Sequence, residues 1–178
     1  MKIGIISDTH RNRDYLLAVV DHLTKKERIN TLYHLGDDWD DVTEFAGRVV
    51  DVLQVPGTYD PKYRDGSAPV KIFETIQGIT ILLVHTAEKD LKPEDLIKAD
   101  IILSGHTHTA EIRFDDKVLY INPGHLKGAR DRNMPPSYAI LTIGDTEIEA
   151  KIYSLEHKAL HSIVLDRTGT GFQKRYQS

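Results

Sequence analysis

The first 60 residues alternate between short apolar runs and amphipathic segments, and this alternation restricts the fold more than any other feature of the sequence. The apolar runs at 2–7, 31–35 and 49–55 have the length and aliphatic composition of buried β-strands. Between them, 13–27 carries apolar residues at helical spacing, and 40–48 is predicted to be a short helix. A β-α-β-α-β order with short connections predicts a parallel sheet with right-handed crossovers.

After a predicted loop at 61–69, which is rich in turn-forming residues, the remainder of the chain is predicted to consist mainly of hairpins. Paired runs separated by short turns predict six strands: 70–76 with 80–85, 111–114 with 118–122, and 137–143 with 147–155. A helix is expected at 93–99, where a proline stands at the start, and it leads into a buried strand at 100–104. We therefore predict an α/β fold of two packed β-sheets with helices on their outer faces. One domain is expected at 1–165, followed by a loose, polar and basic tail at 166–178.

Composition limits the chemistry that is available to the chain. It has no cysteine, so a metal site would have to use imidazole and oxygen ligands. The net charge of −4 argues against a non-specific nucleic-acid-binding protein, but it is compatible with a small phosphorylated substrate. No run has the length of a membrane span, and no signal segment follows Met1. A cytoplasmic protein without a membrane partner is therefore expected.

Polar side chains follow the predicted strands at their carboxyl ends. They are Asp8 and His10, Asp37, Thr58 and Asp60, His85, and His106 and His108. A single aspartate after a strand is more often a turn residue or a helix cap, and a single buried histidine is more often a hydrogen-bonded core residue. Ligands of open α/β sheets, however, gather outside the carboxyl ends of strands. Metal-competent side chains at five successive strand ends therefore predict a metal site suited to Mn²⁺, Fe²⁺, Zn²⁺ or Co²⁺.

Six short motifs resemble, in the same order, those of calcineurin-like metallophosphoesterases. They are SDTH (7–10), HLGDD (34–38), VPGTYD (55–60), VHT (84–86), SGHTH (104–108) and NPG (122–124). The similarity runs from Met1 to about Leu155, and the chain looks like the small, single-domain bacterial and archaeal branch. The resemblance implies a four-layer α/β/β/α sandwich with two mixed β-sheets and a dinuclear metal site at the strand carboxyl ends.

The resemblance also implies a role for each matching residue. One ion would be bound by Asp8, His10 and His108, the other by His85 and His106, and both would be bridged by Asp37. The implied cofactors are two divalent ions, with Mn²⁺ favoured and Zn²⁺, Fe²⁺, Co²⁺ or Ni²⁺ as alternatives. The implied reaction is hydrolysis of a small phosphorylated substrate by attack of a metal-bridging hydroxide on phosphorus, with a phosphodiester favoured over a phosphomonoester.

Several positions depart from the family's motifs. Thr58 stands where the family has an asparagine ligand of the second ion, and Tyr59 stands where many members have a proton-donating histidine. Thr86 and Ala87 replace the Gly-His that often follows the ligand at 85, and His125 replaces the serine expected after NPG. The departures therefore concern the second ion and the proton donor, while the ligands of the first ion remain.

Two hypotheses follow from these departures. In the first, the site is active: Thr58 or water completes the second ion, and His125 or Tyr59 donates a proton to the leaving group. In the second, the chain is a catalytically impaired interaction scaffold, similar to a eukaryotic subunit of the retromer coat that has this fold. The retention of both carboxylates and all four histidines favours the enzyme. A plain loop role for His125 and a packing role for Tyr59 remain alternatives.

Substrate-binding roles are predicted for Asn122, Trp39 and Arg130. Trp39 could wall a pocket or stack on a base, and Arg130, with the basic residues at 127 and 132, could contact a phosphate. The alternatives are that Asn122 holds its own loop, that Trp39 packs at a helix start, and that the basic cluster is a solvated loop. Asp60 is expected to be a turn residue or to lie behind the ligands, and His34 to be a packing residue or to lie behind them. A homodimer is a further hypothesis, since exposed hairpins can pair.

Overall fold

The computed structural model describes residues 1–169 and 171–174 and contains two β-sheets flanked by helices. The strands are β1 (Lys2–Ile6), β2 (Thr31–His34), β3 (Asp51–Gln54), β4 (Lys71–Ile76), β5 (Ile79–Val84), β6 (Ile101–Leu103), β7 (Glu111–Asp115), β8 (Val118–Asn122), β9 (Ser137–Ile143), β10 (Glu147–Ser154), β11 (Ala159–Thr168) and β12 (Gly171–Lys174). The α-helices are α1 (Arg13–Lys25), α2 (Pro61–Arg64), α3 (Ala87–Asp90) and α4 (Pro93–Lys98), and a 3-10 helix covers Trp39–Val42. These elements confirm the predicted α/β class.

The larger sheet has seven strands in the order β12-β11-β10-β9-β1-β2-β3. Strands β1, β2 and β3 run parallel, as the alternation of strands and helices predicts, with Ile5 opposite Tyr33 and Tyr33 opposite Leu53. Strand β9 pairs antiparallel with β1, and the hairpins beyond it are antiparallel as well. The parallel strands therefore place the loops that follow them at one edge of the sheet.

The smaller sheet has five strands in the order β4-β5-β6-β8-β7. Its three central strands are parallel, and β4 and β7 are antiparallel at the two edges. Both sheets are therefore mixed. The loops after β5 and β6 also emerge at a common edge, because parallel strands end on the same side.

Three apolar clusters separate four layers. Side chains from both sheets, such as Ile3 and Ile81, form the core between them. Helix α1 covers the outer face of the larger sheet with Leu16 and Leu23, which lie on its one apolar face. Leu91, between α3 and α4, packs on the outer face of the smaller sheet. The α/β/β/α sandwich is thereby confirmed.

Three local predictions were wrong. The helix predicted at 40–48 is a single 3-10 turn, because β-branched residues follow it and Gly47 adopts a left-handed φ of 67°. The predicted loop at 61–69 contains α2, which begins at a proline. The tail is not loose over 166–168 and 171–174, where β11 pairs with β12 and Phe172 is buried. Residues 170 and 175–178 lie outside the described residues, and the domain boundary at 165 stays a prediction.

Within residues 1–169 and 171–174, none of the helices is both long enough and apolar enough to cross a membrane.

Candidate metal centre

The side chains predicted at the strand ends converge where the two sheets meet. Loops after β1 and β2 come from the larger sheet, and loops after β5 and β6 come from the smaller one. A direct contact joins the two groups, because the backbone N–H of His106 donates to Asp8 Oδ2 at 3.0 Å. One ligand atom from each of four residues lies within 4.8 Å of the other three, and these residues are Asp8, His10, Asp37 and His108.

Asp37 also connects this cluster to the other two predicted histidine ligands. Its Oδ2 is 3.6 Å from His10 Nε2, and its Oδ1 is 3.5 Å from His85 Nε2. His106 Nδ1 lies 3.3 Å from the same nitrogen of His85. One carboxylate oxygen of Asp37 therefore faces each half of the site, as a bridging ligand would.

Hydrogen bonds outside the cluster determine which ring nitrogen of two histidines faces inward. His85 Nδ1 lies 2.7 Å from the carbonyl oxygen of Leu35, so it donates there and leaves Nε2 with a free lone pair. His108 Nδ1 is hydrogen-bonded to Asp131, which leaves His108 Nε2 facing Asp8 Oδ1 at 3.0 Å. Neutral imidazoles with this orientation are the form in which histidine binds a metal ion.

In the neutral, metal-binding tautomers, the inward-facing atoms are acceptors that face other acceptors. His10 Nε2 lies 3.4 Å from His108 Nε2, although neither can satisfy the other when both are lone pairs. Among the described residues, the buried oxygens Asp8 Oδ1 and Asp37 Oδ1 have no hydrogen-bond partner. A buried acceptor without a donor is costly, and a divalent cation satisfies several such atoms together. The residues therefore fit a site for divalent metal ions that accept both imidazole and carboxylate ligands.

The protein's own charges favour ionisation of one carboxylate and oppose it at the other. Burial opposes ionisation of Asp8, but contacts with His108, His85 and Ser7 outweigh it and lower the pKa of this residue. Burial raises the pKa of Asp37, and the neighbouring charge of Asp8 raises it further, against the attraction of His85. Asp8 and Asp37 therefore repel each other when both are ionised, and positive charge between them would relieve that repulsion.

The backbone at the cluster is strained in a systematic way. Left-handed φ values occur at five of the predicted ligands, namely Asp8 (52°), His10 (45°), Asp37 (55°), His106 (68°) and His108 (60°). Such conformations are uncommon outside glycine, and they accumulate at functional sites because the surrounding structure holds them there. The loops are thus shaped to aim these side chains inward.

Two glycines permit the close approach of the ligand loops. A Cβ atom on Gly57 would overlap Asp37 Oδ1, and a Cβ atom on Gly105 would overlap the hydroxyl oxygen of Ser7 and lie 2.9 Å from Asp8 Oδ2. Backbone without a side chain is therefore needed at both positions for the carboxylates to keep their places.

The structure places the other predicted site residues around this cluster rather than in it. Thr58 Oγ1 lies 3.0 Å from Thr86 Oγ1, and Thr86 directly follows His85 in the sequence. Asn122 donates to the Gly105 carbonyl oxygen at 2.9 Å and accepts from its own turn, which agrees with the alternative that it holds the loop. Asp60 is buried and accepts from the backbone N–H groups of residues 39 and 57, so it organises two loops. These contacts leave the ligand role of Thr58 a prediction.

The structure does not favour His125 as a proton donor. Its ring is fully buried, Nε2 lies 3.1 Å from the Met134 carbonyl oxygen, and Nδ1 accepts from the backbone N–H of Lys127. Both ring nitrogens are therefore used by the backbone, and burial lowers the pKa of His125. A neutral ring with its only proton already donated has none to give to a leaving group. Of the two predicted donors, Tyr59 is 71% exposed and so accessible.

Two residues contact predicted ligands in ways that the sequence reasoning did not anticipate. Asp131 accepts a hydrogen bond from His108 Nδ1, and this bond, with that from Lys127, lowers the pKa of Asp131 to about 2. Arg132 donates to the carbonyl oxygens of His106 and Thr107, at 3.1 and 3.2 Å. The signal was present in the charged segment after NPG, but its basic residues were interpreted as phosphate contacts or as a solvated loop. Arg130 itself is exposed in this loop.

Comparisons with known proteins agree with this arrangement. The family model described as the calcineurin-like phosphoesterase superfamily domain matches residues 1–146. The chain belongs to this family.

Proteins similar to this calcineurin-like phosphoesterase include some that are named as phosphoesterases and one that is named Vps29. A protein of Methanothermobacter thermautotrophicus named "Probable metallophosphoesterase" is 31% identical over 85% of this chain and 91% of that protein. A structure described as a novel archaeal phosphodiesterase has a TM-score of 0.64 at 23% identity, covering 93% of this chain and 100% of that chain. Wild-type Vps29 from Entamoeba histolytica in complex with Zn²⁺ has a TM-score of 0.65 at 21% identity, covering 93% and 99%. The two structures support the fold alone.

Proposed function

We propose that this calcineurin-like phosphoesterase is a metal-dependent phosphodiesterase that hydrolyses a small phosphorylated substrate. The observation that supports the proposal is the cluster of Asp8, His10, Asp37 and His108, to which loops of both sheets contribute and in which the buried oxygens Asp8 Oδ1 and Asp37 Oδ1 lack a hydrogen-bond donor. Two divalent ions, when bound, would supply a nucleophilic water and neutralise charge on the phosphoryl oxygens. Mn²⁺ is our proposed metal, since carboxylate and imidazole ligands suit it as well as Zn²⁺, Fe²⁺, Co²⁺ or Ni²⁺.

The protein's own residues would perform the remaining work. Asp8, His10 and His108 would hold one ion, and His85 and His106 the other. Asp37 would position the two ions relative to each other, because its oxygens face both halves of the site. The Leu35 carbonyl and Asp131 would keep the rings of His85 and His108 in the metal-binding tautomer. Thr58 or water would complete the second ion, and Tyr59 is our proposed proton donor.

The test uses bis-p-nitrophenyl phosphate, whose leaving group departs without a general acid. Metal-stripped protein is titrated with Mn²⁺ and compared with Asp37→Asn and with the matched control Asp115→Asn, an exposed carboxylate on β7 that is paired with Arg113. We expect saturable, Mn²⁺-dependent turnover in the wild type and the control, and its loss in Asp37→Asn. Absence of turnover at saturating metal would refute the proposal.

A second candidate is the interaction scaffold. The observation that favours it is helix α4, where Ile97 is 87% exposed and Leu96 is 42% exposed next to each other. Exposed large apolar side chains can belong to a protein-binding surface. The scaffold would bind metal without turnover, so the same titration separates the two candidates. Our proposal also includes a cytoplasmic location, no membrane or nucleic-acid partner, and a homodimer as one option.

A further inference from the structure

A cavity of about 510 Å³ opens directly beside the metal cluster. It is lined in part by Arg11 and Asp38, each of which follows a predicted ligand by one residue. Arg11 Nε lies 3.2 Å from Asp38 Oδ1, and Asp38 Oδ2 lies 4.0 Å from Nδ1 of the predicted ligand His10, so the lining meets the ligand cluster at this point. The volume lies within the range of small-molecule sites. A phosphate bound at the cluster would therefore have its ester group within reach of this cavity.

One wall of the cavity is Trp39, and its position is held by contacts at the edge of the ring. The backbone N–H of Trp39 donates to Asp60 Oδ1 at 3.2 Å. With the Gln54 amide oriented to satisfy both groups, its oxygen accepts from Trp39 Nε1 at 3.3 Å and its nitrogen donates to the Trp39 carbonyl oxygen at 3.1 Å. Lys62, another lining residue, has its Nζ 5.3 Å from the ring centre. These contacts hold the indole in the cavity lining, with the Lys62 ammonium over one face of the ring, so a base that stacks on that face would take the place of this flexible side chain.

The charge of the lining restricts what can bind against that wall. Five aspartates but only two cations, Arg11 and Lys62, line the cavity. Some of this negative charge is already used, since Asp41 accepts from Thr9 Oγ1 and from the backbone N–H of Arg11. Asp40 is exposed in the lining and has acceptor capacity for hydroxyl and amino groups. A ligand with further phosphates would be repelled, whereas an uncharged group rich in hydrogen-bond donors would not.

We propose that the Trp39 cavity binds the nucleoside group of a phosphodiester substrate, with the base stacked on the indole and the single phosphate at the metal cluster. Every base has a π face that stacks on an aromatic side chain, and a nucleoside adds hydroxyl donors without adding charge. The same excess of aspartates disfavours a polynucleotide, whose neighbouring phosphates would enter the negative lining. This inference rests on the proposed phosphodiesterase function and specifies its substrate class.

The cavity can be tested by binding, because Trp39 is the single tryptophan of the chain. Its indole N–H gives one side-chain resonance in a ¹H–¹⁵N NMR spectrum of protein loaded with diamagnetic Zn²⁺. Titration with uridine 5′-monophosphate is expected to shift that resonance saturably. Ribose 5-phosphate, which has the same sugar phosphate without the base, is expected to leave it nearly unmoved. An unmoved resonance with the nucleotide, or equal shifts with both ligands, would overturn the inference.

A kinetic comparison tests the same contact during turnover. The methyl and uridine 5′-esters of p-nitrophenyl phosphate release the same phenolate and differ only in the retained group. Trp39→Leu is expected to lower kcat/KM for the uridine ester about tenfold more than for the methyl ester, with a smaller difference in Trp39→Phe. Equal losses for both esters would contradict stacking on Trp39.

The two experiments separate the inference from the proposed function. If neither ester is hydrolysed, the proposed function fails, and the NMR titration still decides whether the cavity binds a nucleotide. If the methyl ester is hydrolysed and the indole resonance stays unmoved, the cavity inference alone fails.

Discussion

The contact between Asp131 and His108 predicts how far a residue outside the ligand set controls metal binding. Asp131→Ala removes the acceptor that keeps His108 Nδ1 protonated and Nε2 directed at Asp8. Loss of such a partner typically weakens metal binding 10- to 100-fold, about 1.4–2.7 kcal/mol. We expect a value near the lower end, about tenfold, because Lys127 Nζ lies 3.1 Å from Asp131 and already shares its charge. Asp131→Asn keeps an acceptor without the charge and should lose less.

The assay is isothermal titration of metal-stripped protein with Zn²⁺, combined with thermal unfolding of the same samples. The control is Asp115→Ala, which removes an exposed carboxylate paired with Arg113 at 2.7 Å. Exposed ion pairs contribute little, so the control should bind metal as the wild type does. Wild-type affinity in Asp131→Ala, or an equal loss in the control, would show that His108 does not depend on this hydrogen bond.

Two other features lead to predictions of their own. Gly57→Ala should weaken metal binding without removing a ligand, because the new Cβ would displace the Asp37 carboxylate. The control Gly128→Ala places its Cβ in open space and should bind metal as the wild type does. Titration of both variants with Zn²⁺ checks this, and equal affinities would contradict the steric argument. Burial and the stacked ring of His157 lower the pKa of His22. Since the unfolded state then binds the proton more readily, the free energy of unfolding should fall as pH decreases through about 6.5. Denaturant unfolding at pH 7.5 and 5.5 should show a smaller decrease in His22→Gln, and parallel decreases would exclude this histidine as the cause.

The sequence could predict that the strand-end side chains come together, because their placement depends on local patterns. An apolar run that ends at Asp8 or His85 identifies both a buried strand and the side where its loop emerges. Parallel neighbours then bring these loops together whatever their separation along the chain. The same reasoning could not find Asp131, because the loop that carries it has no periodicity and its contact with His108 depends on tertiary structure.

Errors occurred where local preference and tertiary pairing disagree. Strand β11 has a mostly exposed first half, and its continuation at 166–168 is polar, so its sequence resembles a tail. Pairing with β10 along most of its length and burial of Leu165 nevertheless order it. His125 is a different case, since its position after NPG left a proton donor and a plain loop residue as alternatives, and the backbone contacts of both ring nitrogens agree with the second.

The origin of the predicted ligands in loops of two different sheets has a mechanical consequence. Asp8 and Asp37 follow strands of the larger sheet, and His85 and His106 follow strands of the smaller one, so an ion bound by both pairs would connect the two layers. Sliding one sheet over the other would then require breaking coordination bonds as well as apolar contacts. Ligand binding at 1,000 times its Kd stabilises a fold by about 4.1 kcal/mol. Removal of the metal by a chelator should therefore speed the exchange of backbone amide hydrogens in the strands of both sheets.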